Sequence, residues 1–249
     1  MKPSKGGIYK RFIKRPMDFI LALVAIVILS PILLVVALLV RVKLGSPVLF
    51  KQKRPGLNET IFMMYKFRTM TDDRDEHGEL LPDNVRLTRF GRLLRSTSLD
   101  ELPELFNILK GDMSIVGPRP QLTRDMVFMT SQQRKRHCLL PGLTGWAQVN
   151  GRNFVTWEEK LSFDIEYLDN VTFLGDLKII FMTVTMVFKR DGITAEGMDT
   201  AEDFGDYLLR EKKITEDEYC IAMEEAKRII NYKTPVVNRQ MRGKDHGQI

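Results

Sequence analysis

The sequence predicts a mainly helical α+β protein that has small β-hairpin elements and is attached to a membrane. Three observations support this fold class: a long apolar segment near the start, an alternating apolar and polar region after it, and amphipathic segments of helical period further on. The regular alternation of strands and helices that a parallel sheet needs is missing from the sequence. A doubly wound Rossmann-type fold is therefore not expected.

The apolar segment runs from Phe19 to Val40 and is interrupted only by Ser30 and Pro31 at its centre. About 22 helical residues span about 33 Å, which is enough to cross the hydrocarbon core of a bilayer. Pro31 is expected to kink the helix, and the Ser30 hydroxyl can bond a carbonyl one turn back. Each half is then about 16 Å long, which favours a re-entrant helix-break-helix that returns to the same face. A single kinked spanning anchor is the alternative.

Basic residues lie on both sides of this segment. Residues 1–58 contain eleven Lys or Arg and one acid, Asp18, whereas the rest of the chain carries a net charge of −4. Since Lys and Arg favour the cytoplasmic side and bind anionic lipid, both ends of the segment are expected to face the cytoplasm. Asp18 is expected to pair with Lys14 or Arg15, one turn before it. The net charge of +6 therefore comes from basic residues that flank the membrane segment, and it does not indicate nucleic-acid binding.

Shorter elements follow the membrane segment. Residues 47–70 alternate apolar and polar side chains around the turn 55–58, which predicts a β-hairpin. The remaining expectations are an acidic surface loop over 71–84, mostly helix over 86–111, rigid loops over 117–120 and 141–151, an amphipathic helix over 157–170, an interfacial helix over 177–188, and a helical hairpin followed by a disordered tail within 193–249.

Arginines concentrate in the predicted helical region. Arg89, Arg92 and Arg95 follow each other at intervals of three residues and so share one helix face. Three guanidiniums in a row could neutralise a diphosphate through forked hydrogen bonds. A stripe that faces solvent or lipid headgroups explains the same spacing equally well.

Two adjacent carboxylates, Asp100 and Glu101, come next. Pro103 and Gly111 bracket a short helix directly after them, so both acids lie at its start. Taken alone, they fit an ordinary helix N-terminus, where carboxylates favour the helix dipole and Ser98 with Glu101 forms a capping box.

Five motifs occur in a fixed order behind the broken apolar segment: Lys66-Phe67-Arg68-Thr69-Met70, the arginine-rich helix, Ser98-Leu99-Asp100-Glu101-Leu102-Pro103, Gly117-Pro118-Arg119-Pro120 and Pro141-Gly142-Leu143-Thr144-Gly145-Trp146. Together they closely resemble the monotopic phosphoglycosyl transferases, the bacterial sugar transferase family, from about Lys14 to about Gly192. The chain looks like the minimal form of that family, and it departs from the family pattern in its C-terminal extension.

The resemblance implies a reaction in which a phosphosugar moves from a UDP-sugar to undecaprenyl phosphate, releasing UMP and initiating surface glycan assembly. Asp100 would attack the β-phosphorus and form a covalent phosphosugar-aspartate. The Asp100–Glu101 dyad would hold Mg²⁺, and Glu101 would alternatively help to deprotonate the lipid phosphate. Direct transfer without a covalent intermediate and a non-catalytic scaffold in a glycan assembly cluster are the alternatives.

Four basic residues are candidates for substrate binding by this resemblance. Arg95 is the nearest arginine upstream of the dyad, and Arg119 is held between two prolines. Lys66 and Arg68 alternate along a strand, so both can point the same way, toward phosphate or toward backbone carbonyls. Structural roles are the alternative for each of them.

The expected organisation has three parts: a basic lead-in and re-entrant helix over 1–45, a cytoplasm-facing catalytic domain over 46–192, and a helical extension with a tail over 193–249. The resemblance implies a bacterial inner-membrane protein whose partners are the UDP-sugar, undecaprenyl phosphate and membrane lipids. A homo-oligomer is left open. No motif in the sequence recognises sugar hydroxyls, so the sugar is not predicted.

Overall fold

A computed structural model describes residues 7–151, 155–189 and 202–231 of the 249-residue chain. Within these ranges helices predominate and each of two sheets has two strands, which confirms the predicted fold class. The helices are α1 (Lys14–Lys43), α2 (Asp83–Arg86), α3 (Arg89–Ser96), α4 (Glu104–Lys110), α5 (Thr123–Met126), α6 (Ser131–Arg134), α7 (Trp146–Asn150), α8 (Trp157–Asp169), α9 (Phe173–Lys189), α10 (Phe204–Arg210) and α11 (Glu216–Asn231). The strands are β1 (Leu49–Pro55), β2 (Ile61–Phe67), β3 (Ser114–Val116) and β4 (Gly142–Thr144). A π-helical turn (Tyr9–Ile13) and 3₁₀ turns (Leu57–Glu59, Leu99–Glu101, Lys135–Cys138) complete the described structure.

The predicted β-hairpin is confirmed. Strands β1 and β2 pair antiparallel, with Leu49 opposite Phe67 and Pro55 opposite Ile61. The chain reverses at the 3₁₀ turn, where Asn58 adopts a left-handed φ of 51° that asparagine tolerates better than most residues. The acidic segment after the hairpin is a surface loop, as predicted, and its residues 72–80 are exposed.

The prediction of a rigid loop over 141–151 is wrong. Strand β4 pairs parallel with β3, and helix α7 follows it directly. The close approach of two glycines permits this pairing, because a Cβ on Gly142 would lie 2.1 Å from the backbone nitrogen of Gly117. A strand of three residues is too short to show a period in the sequence. The pairing brings the two proline-rich segments, 117–120 and 141–142, side by side.

Helix α1 is continuous through Pro31 and is the one helix among the described residues that is long and apolar enough to cross a membrane. The Ser30 hydroxyl donates to the Val27 carbonyl at 2.8 Å, which confirms the predicted bond to the preceding turn. One stripe of α1 faces the folded domain over most of its length, and the remaining apolar side chains are exposed.

Both halves of α1 pack against the same domain. In the first half, Ala22 belongs to a core cluster with Leu105 and Ile108 of α4. In the second half, Val36 and Val40 belong to another cluster with residues of β2 and α3. The domain therefore contacts α1 on both sides of Ser30 and Pro31, where the helix is continuous and the predicted break is not found.

Polar anchors fix the start of α1. Lys14 and Asp18 lie 3.9 Å apart, as predicted for a local pair. The shorter contacts of Asp18 reach much further along the chain, because its carboxylate accepts hydrogen bonds from the Ser114 hydroxyl at 2.6 Å and the Ile115 amide at 3.2 Å. Arg15 donates instead to the Ile108 carbonyl at 2.7 Å.

Helix α9 begins four residues before the predicted interfacial helix and contains it. Its exposed side chains include Leu174, Leu177 and Phe181, whereas Asp176 is fully buried. The helix therefore presents an apolar face outward and a polar anchor inward.

The predicted helical hairpin of the extension is confirmed by α10 and α11. Thr215 and Glu218 cap the start of α11 reciprocally, each accepting a hydrogen bond from the backbone amide of the other. The predicted tail over 232–249 lies outside the described residues.

Candidate active site

The Asp100–Glu101 dyad lies in the 3₁₀ turn between α3 and α4. Helix α4 follows Pro103 and ends at Gly111, which has a φ of +97°, so both predicted helix boundaries are confirmed. The predicted capping box is wrong, because Ser98 adopts a left-handed φ of 54° and its side chain makes no capping hydrogen bond. The Glu101 carboxylate turns away from the helix start and meets basic side chains instead.

Glu101 joins three of the sequence motifs. Its Oε1 accepts hydrogen bonds from Lys66 Nζ and from Arg119 Nη2, each at 2.6 Å. Burial alone would raise the pKa of Glu101, but the charges and hydrogen bonds of Arg119 and Lys66 outweigh burial and hold this pKa below its usual range. Glu101 is therefore ionised at neutral pH, with two cations on one oxygen.

Asp100 is buried beside this pair, with 7% of its surface exposed. Burial raises its pKa to about 6, and the Glu101 charge adds to the increase, whereas Lys66, Arg119 and Arg95 limit it. Within the described part of the chain, no side chain or amide donates a hydrogen bond to its carboxylate. At neutral pH the Asp100 carboxylate is mostly ionised and is not occupied by a donor.

A third carboxylate, Glu104, was missed by the sequence analysis. It is 2% exposed, and its Oε1 lies 3.3 Å from the same Lys66 Nζ that binds Glu101. Burial raises the pKa of Glu104 to about 7, with Lys66 opposing this shift and Glu101 adding to it. Its spacing of three residues from Glu101, about one helical turn, is the sequence signal that would have indicated a shared face.

Two of the three arginines of α3, Arg92 and Arg95, have different partners. Arg95 donates from Nε to the Thr69 hydroxyl at 3.2 Å, and its charge lowers the pKa of Asp100, so it borders the dyad. Arg92 donates to the Leu87 carbonyl at 2.9 Å, next to the start of its own helix. Of this predicted stripe, Arg95 is the member that the structure connects with the dyad.

The Arg68 side chain points away from the dyad, whereas the Lys66 side chain reaches the dyad. The Arg68 guanidinium donates to the carbonyls of Met70 at 2.7 Å and Ser46 at 3.0 Å, and it pairs with the Asp72 carboxylate at 2.7 Å. The structure therefore brings together Lys66, Arg95 and Arg119 around the acids and leaves Arg68 as an anchor of the following loop.

Two further arginines hold the loop that carries Arg119. Arg136 donates to the Arg119 carbonyl at 2.6 Å, and Arg54 donates to the Pro120 carbonyl at 3.3 Å. Burial, together with the charge of Arg119, lowers the pKa of Arg54 to about 10. The Arg54 Nε is buried and has no hydrogen-bond partner among the described residues. Sequence analysis missed Arg54, which has no motif around it.

The dyad fits a magnesium ion of the kind that accompanies phosphate substrates. Such ions are held by one or two carboxylates, with phosphate oxygens and water completing the octahedron. Asp100 and Glu101 are adjacent, and no described residue donates a hydrogen bond to Asp100 or to Oε2 of Glu101. In the described ranges there is no cluster of three or more His, Cys, Asp or Glu side chains that could bind a metal without the substrate.

Comparison with known sequences agrees with these motifs. The profile of the bacterial sugar transferase family matches residues 9–190. The uncharacterized sugar transferase EpsL of Bacillus subtilis (strain 168) is 52% identical over 192 residues, which cover 77% of this chain and 95% of EpsL.

Two larger relatives have named substrates. The UDP-glucose:undecaprenyl-phosphate glucose-1-phosphate transferase of Xanthomonas campestris pv. campestris is 39% identical over 68% of this chain and 37% of its own length. The UDP-N-acetylgalactosamine-undecaprenyl-phosphate N-acetylgalactosaminephosphotransferase of Aeromonas hydrophila is 37% identical over 71% of this chain and 44% of its own length. The chain thus spans less than half of these two relatives.

Proposed function

The chain belongs to the bacterial sugar transferase family, and we propose that it transfers a phosphosugar from a UDP-sugar to undecaprenyl phosphate, with release of UMP. The names of the two larger relatives support both substrate classes. The observation that carries the proposal is the Asp100 carboxylate, which is buried and ionised at neutral pH, receives no hydrogen bond from the described residues, and lies beside the two cations on Glu101.

Asp100 acts as the nucleophile in this proposal. A carboxylate oxygen forms a bond to the β-phosphorus of the UDP-sugar, and the bond from that phosphorus to the bridging oxygen breaks, so that UMP leaves with the electron pair. An oxygen of undecaprenyl phosphate then attacks the same phosphorus. The bond to Asp100 breaks, which restores the carboxylate and yields the lipid diphosphate sugar.

Positive charge makes this attack feasible, because a carboxylate and a diphosphate otherwise repel each other. Lys66 and Arg119 already form ion pairs with Glu101, and the charge of Arg95 lowers the pKa of Asp100. A diphosphate that enters beside Glu101 meets both cations without reorganisation of the backbone. Asp100 and Glu101 would hold Mg²⁺, which when bound supplies further positive charge to the phosphate oxygens.

We also propose that α1 is re-entrant and that the catalytic domain lies on the cytoplasmic face of the inner membrane. Both halves of α1 pack against the same domain, and a helix that crossed the bilayer would carry one half out of reach of it. The basic residues on both sides of the apolar segment support the same arrangement. The exposed apolar face of α9 would rest at the membrane interface, close to the headgroup of the lipid substrate.

The covalent route is tested with the purified protein and a panel of UDP-sugars in the absence of lipid. We expect a burst of at most about one UMP per active site, as in ping-pong chemistry. Rapid acid quench and peptide mapping by mass spectrometry should locate the phosphosugar adduct on Asp100, and added undecaprenyl phosphate should discharge it. If the protein turns over normally with lipid but shows neither burst nor adduct, the phosphosugar is transferred directly to the lipid. If no UDP-sugar yields UMP, the protein is not a transferase and the non-catalytic scaffold is the remaining interpretation.

The topology is tested by cysteine labelling after replacement of the two exposed cysteines, Cys138 and Cys220, by serine. Single cysteines at Ser4 and Asn58 flank α1 on either side. Both should resist an impermeant thiol reagent in intact cells and react after lysis. Labelling of one of them from outside would show that α1 crosses the membrane.

A further inference from the structure

Helix α4 carries a polar stripe that binds strand β2. The stripe consists of Glu104, Asn107 and Lys110, which follow each other at intervals of three residues and so share one face of the helix. Glu104 lies 3.3 Å from the Lys66 ammonium, and the Lys110 ammonium donates to the Tyr65 hydroxyl at 2.8 Å. Asn107, in the middle of the stripe, is fully buried and has no part in the proposed reaction.

Asn107 binds the backbone of β2 and not a side chain of that strand. Its Oδ1 accepts a hydrogen bond from the Tyr65 amide at 3.1 Å, and its Nδ2 donates to the Met63 carbonyl at 2.7 Å. Strand β2 has β1 on one edge of its two-stranded sheet, and the backbone groups on the other edge of a strand need partners from elsewhere. The Asn107 side chain therefore takes the place of a neighbouring strand at Met63 and Tyr65.

This contact fixes the register of β2 against α4. The amide uses one acceptor and one donor of the strand, and a slip of β2 by one residue would move these groups by about 3.3 Å. Lys66 follows Tyr65 directly in β2, and Glu104 precedes Asn107 by about one turn in α4. Asn107 thus sets the distance between the two segments that meet in the candidate active site.

The Lys66 ammonium depends on this register because it lies between two carboxylates of another element. Its Nζ is 2.6 Å from Oε1 of Glu101 and 3.3 Å from Oε1 of Glu104. Both acids lie at the start of α4, whereas Lys66 reaches them from β2. A relative shift of about 1 Å would lengthen these contacts, and a misplacement of that size can slow a reaction about a hundredfold.

We propose that Asn107 is a positioning residue of the transferase site, whose amide fixes β2 to α4 and so holds the Lys66 ammonium between Glu101 and Glu104. The inference rests on the proposed function and deepens it. Asn107 acts through Lys66 and does not touch the substrate. Its effect on the reaction should therefore require Lys66.

Two variants remove the contact in different ways. Asn107→Asp keeps the shape but no longer donates to the Met63 carbonyl, and Asn107→Leu removes both hydrogen bonds without adding a charge. We expect kcat/KM per folded molecule to fall about tenfold to a hundredfold in each variant. Lys110→Met is the matched control, because it removes an exposed side-chain contact of the same stripe and should change kcat/KM by less than about twofold. Unchanged kcat/KM in both Asn107 variants would overturn the inference.

A double-mutant cycle with Lys66→Met separates positioning from a general loss of packing. In the Lys66→Met background, Asn107→Leu should lower kcat/KM by less than about twofold, because the group that Asn107 positions is already absent. The same fold-loss with and without Lys66 would show that Asn107 supports the fold alone, and the positioning role would be rejected.

Lysine labelling makes the result independent of turnover. The purified protein is treated briefly with acetic anhydride, and mass spectrometry measures the acetylation rate of each lysine. We expect Lys66 to react several times faster in Asn107→Leu than in the wild type, and Lys14 to react at the same rate in both. Lys14 reports unfolding, because it is buried in a separate ion pair with Asp176.

The labelling also distinguishes this inference from the proposed function. An unchanged rate at Lys66, or equal acceleration of Lys66 and Lys14, would overturn the positioning role. Faster labelling of Lys66 alone, in a protein that releases no UMP from any UDP-sugar, would refute the proposed function and leave the positioning of Lys66 by Asn107 standing.

Discussion

Two networks of buried charged residues have different roles in this molecule. One lies at the start of α1 and the other at the dyad. In the first, Asp176 accepts hydrogen bonds from Tyr9 at 2.7 Å and Lys14 at 2.6 Å on one oxygen, and from Tyr167 at 2.7 Å on the other. In the second, two cations share a single oxygen of Glu101, and Asp100 receives no donor from the described residues.

The difference teaches that burial alone does not separate a structural carboxylate from a reactive one. Asp176 and Asp100 are both buried and both lie near a lysine. Every oxygen of Asp176 is occupied, so its network can do nothing but hold α1, α8 and α9 together. Asp100 keeps its oxygens available in a field of cations, which is the arrangement a nucleophile needs.

The largest effect expected from this comparison is on turnover, in Asp100→Asn. The amide keeps the shape of the side chain but removes the nucleophilic charge, so kcat should fall at least about a thousandfold. The folded protein should be as stable as the wild type or more stable, since a buried charge to which no described residue donates a hydrogen bond is lost. UMP release at saturating UDP-sugar and thermal unfolding in the same detergent measure both quantities. A residual rate within tenfold of wild type would remove Asp100 from the reaction.

The matched change in the closed network is Asp176→Asn, and it should act on stability. Lys14 would lose the nearer of its two charged partners in a buried site and keep only Asp18 at 3.9 Å, so the free energy of unfolding should fall by up to about 3–5 kcal/mol. Activity per folded molecule should persist, because none of the hydrogen bonds of Asp176 goes to Asp100, Glu101 or the cations beside them. Asp169→Asn on the exposed surface of α8 is the control and should change stability by less than about 0.5 kcal/mol. An inactive but fully stable Asp176→Asn protein would contradict the division between the two networks.

A smaller effect is expected at the cations, where Arg119 and Arg68 can be compared. Arg119→Ala should cost about 2–4 kcal/mol in kcat/KM if its guanidinium binds phosphate in the transition state. Arg68→Ala should lower stability and leave kcat/KM per folded molecule unchanged, because its hydrogen bonds go to the Met70 and Ser46 carbonyls. Steady-state kinetics on protein corrected for its folded fraction distinguishes the two. Equal losses in kcat/KM would place Arg68 in the binding site as well.

The parts of the fold that the sequence predicted are those with local causes. The apolar segment, the hairpin turn, Pro103 before α4 and Gly111 after it each act through neighbouring residues, and the structure has all of them. The resemblance named Glu101, Lys66 and Arg119 as site residues without predicting contacts among them, and the structure places Lys66 and Arg119 each 2.6 Å from Glu101.

The predictions that were wrong concern features that depend on contacts between segments distant in the sequence. The pairing of β3 with β4 needs Gly117 and Gly142 to approach each other, which no local period encodes. Ser98 satisfies the pattern of a capping box but adopts a left-handed backbone, and Glu101 binds cations from other elements. Glu104 and Arg54 acquire their surroundings only when the hairpin, α4 and the Arg119 loop come together.

The smallest effect is a pH dependence that separates the reactive carboxylate from the acids around it. Because the pKa of Asp100 is raised to about 6, kcat/KM should be nearly constant from pH 7 to 8 and fall about tenfold per pH unit below about 6. Unfolding would not produce this fall. A raised pKa means that folding favours protonated Asp100, so this group adds stability as pH drops. The pKa of Glu101 is lowered, so its ionised form stabilises the folded protein. This stabilisation decreases only when the pH falls below 4.5, the ordinary pKa of the group. Glu104→Gln removes the group whose pKa is raised to about 7, and the fall near pH 6 should remain. A fall that disappears in Glu104→Gln would assign the essential ionisation to Glu104 instead of Asp100.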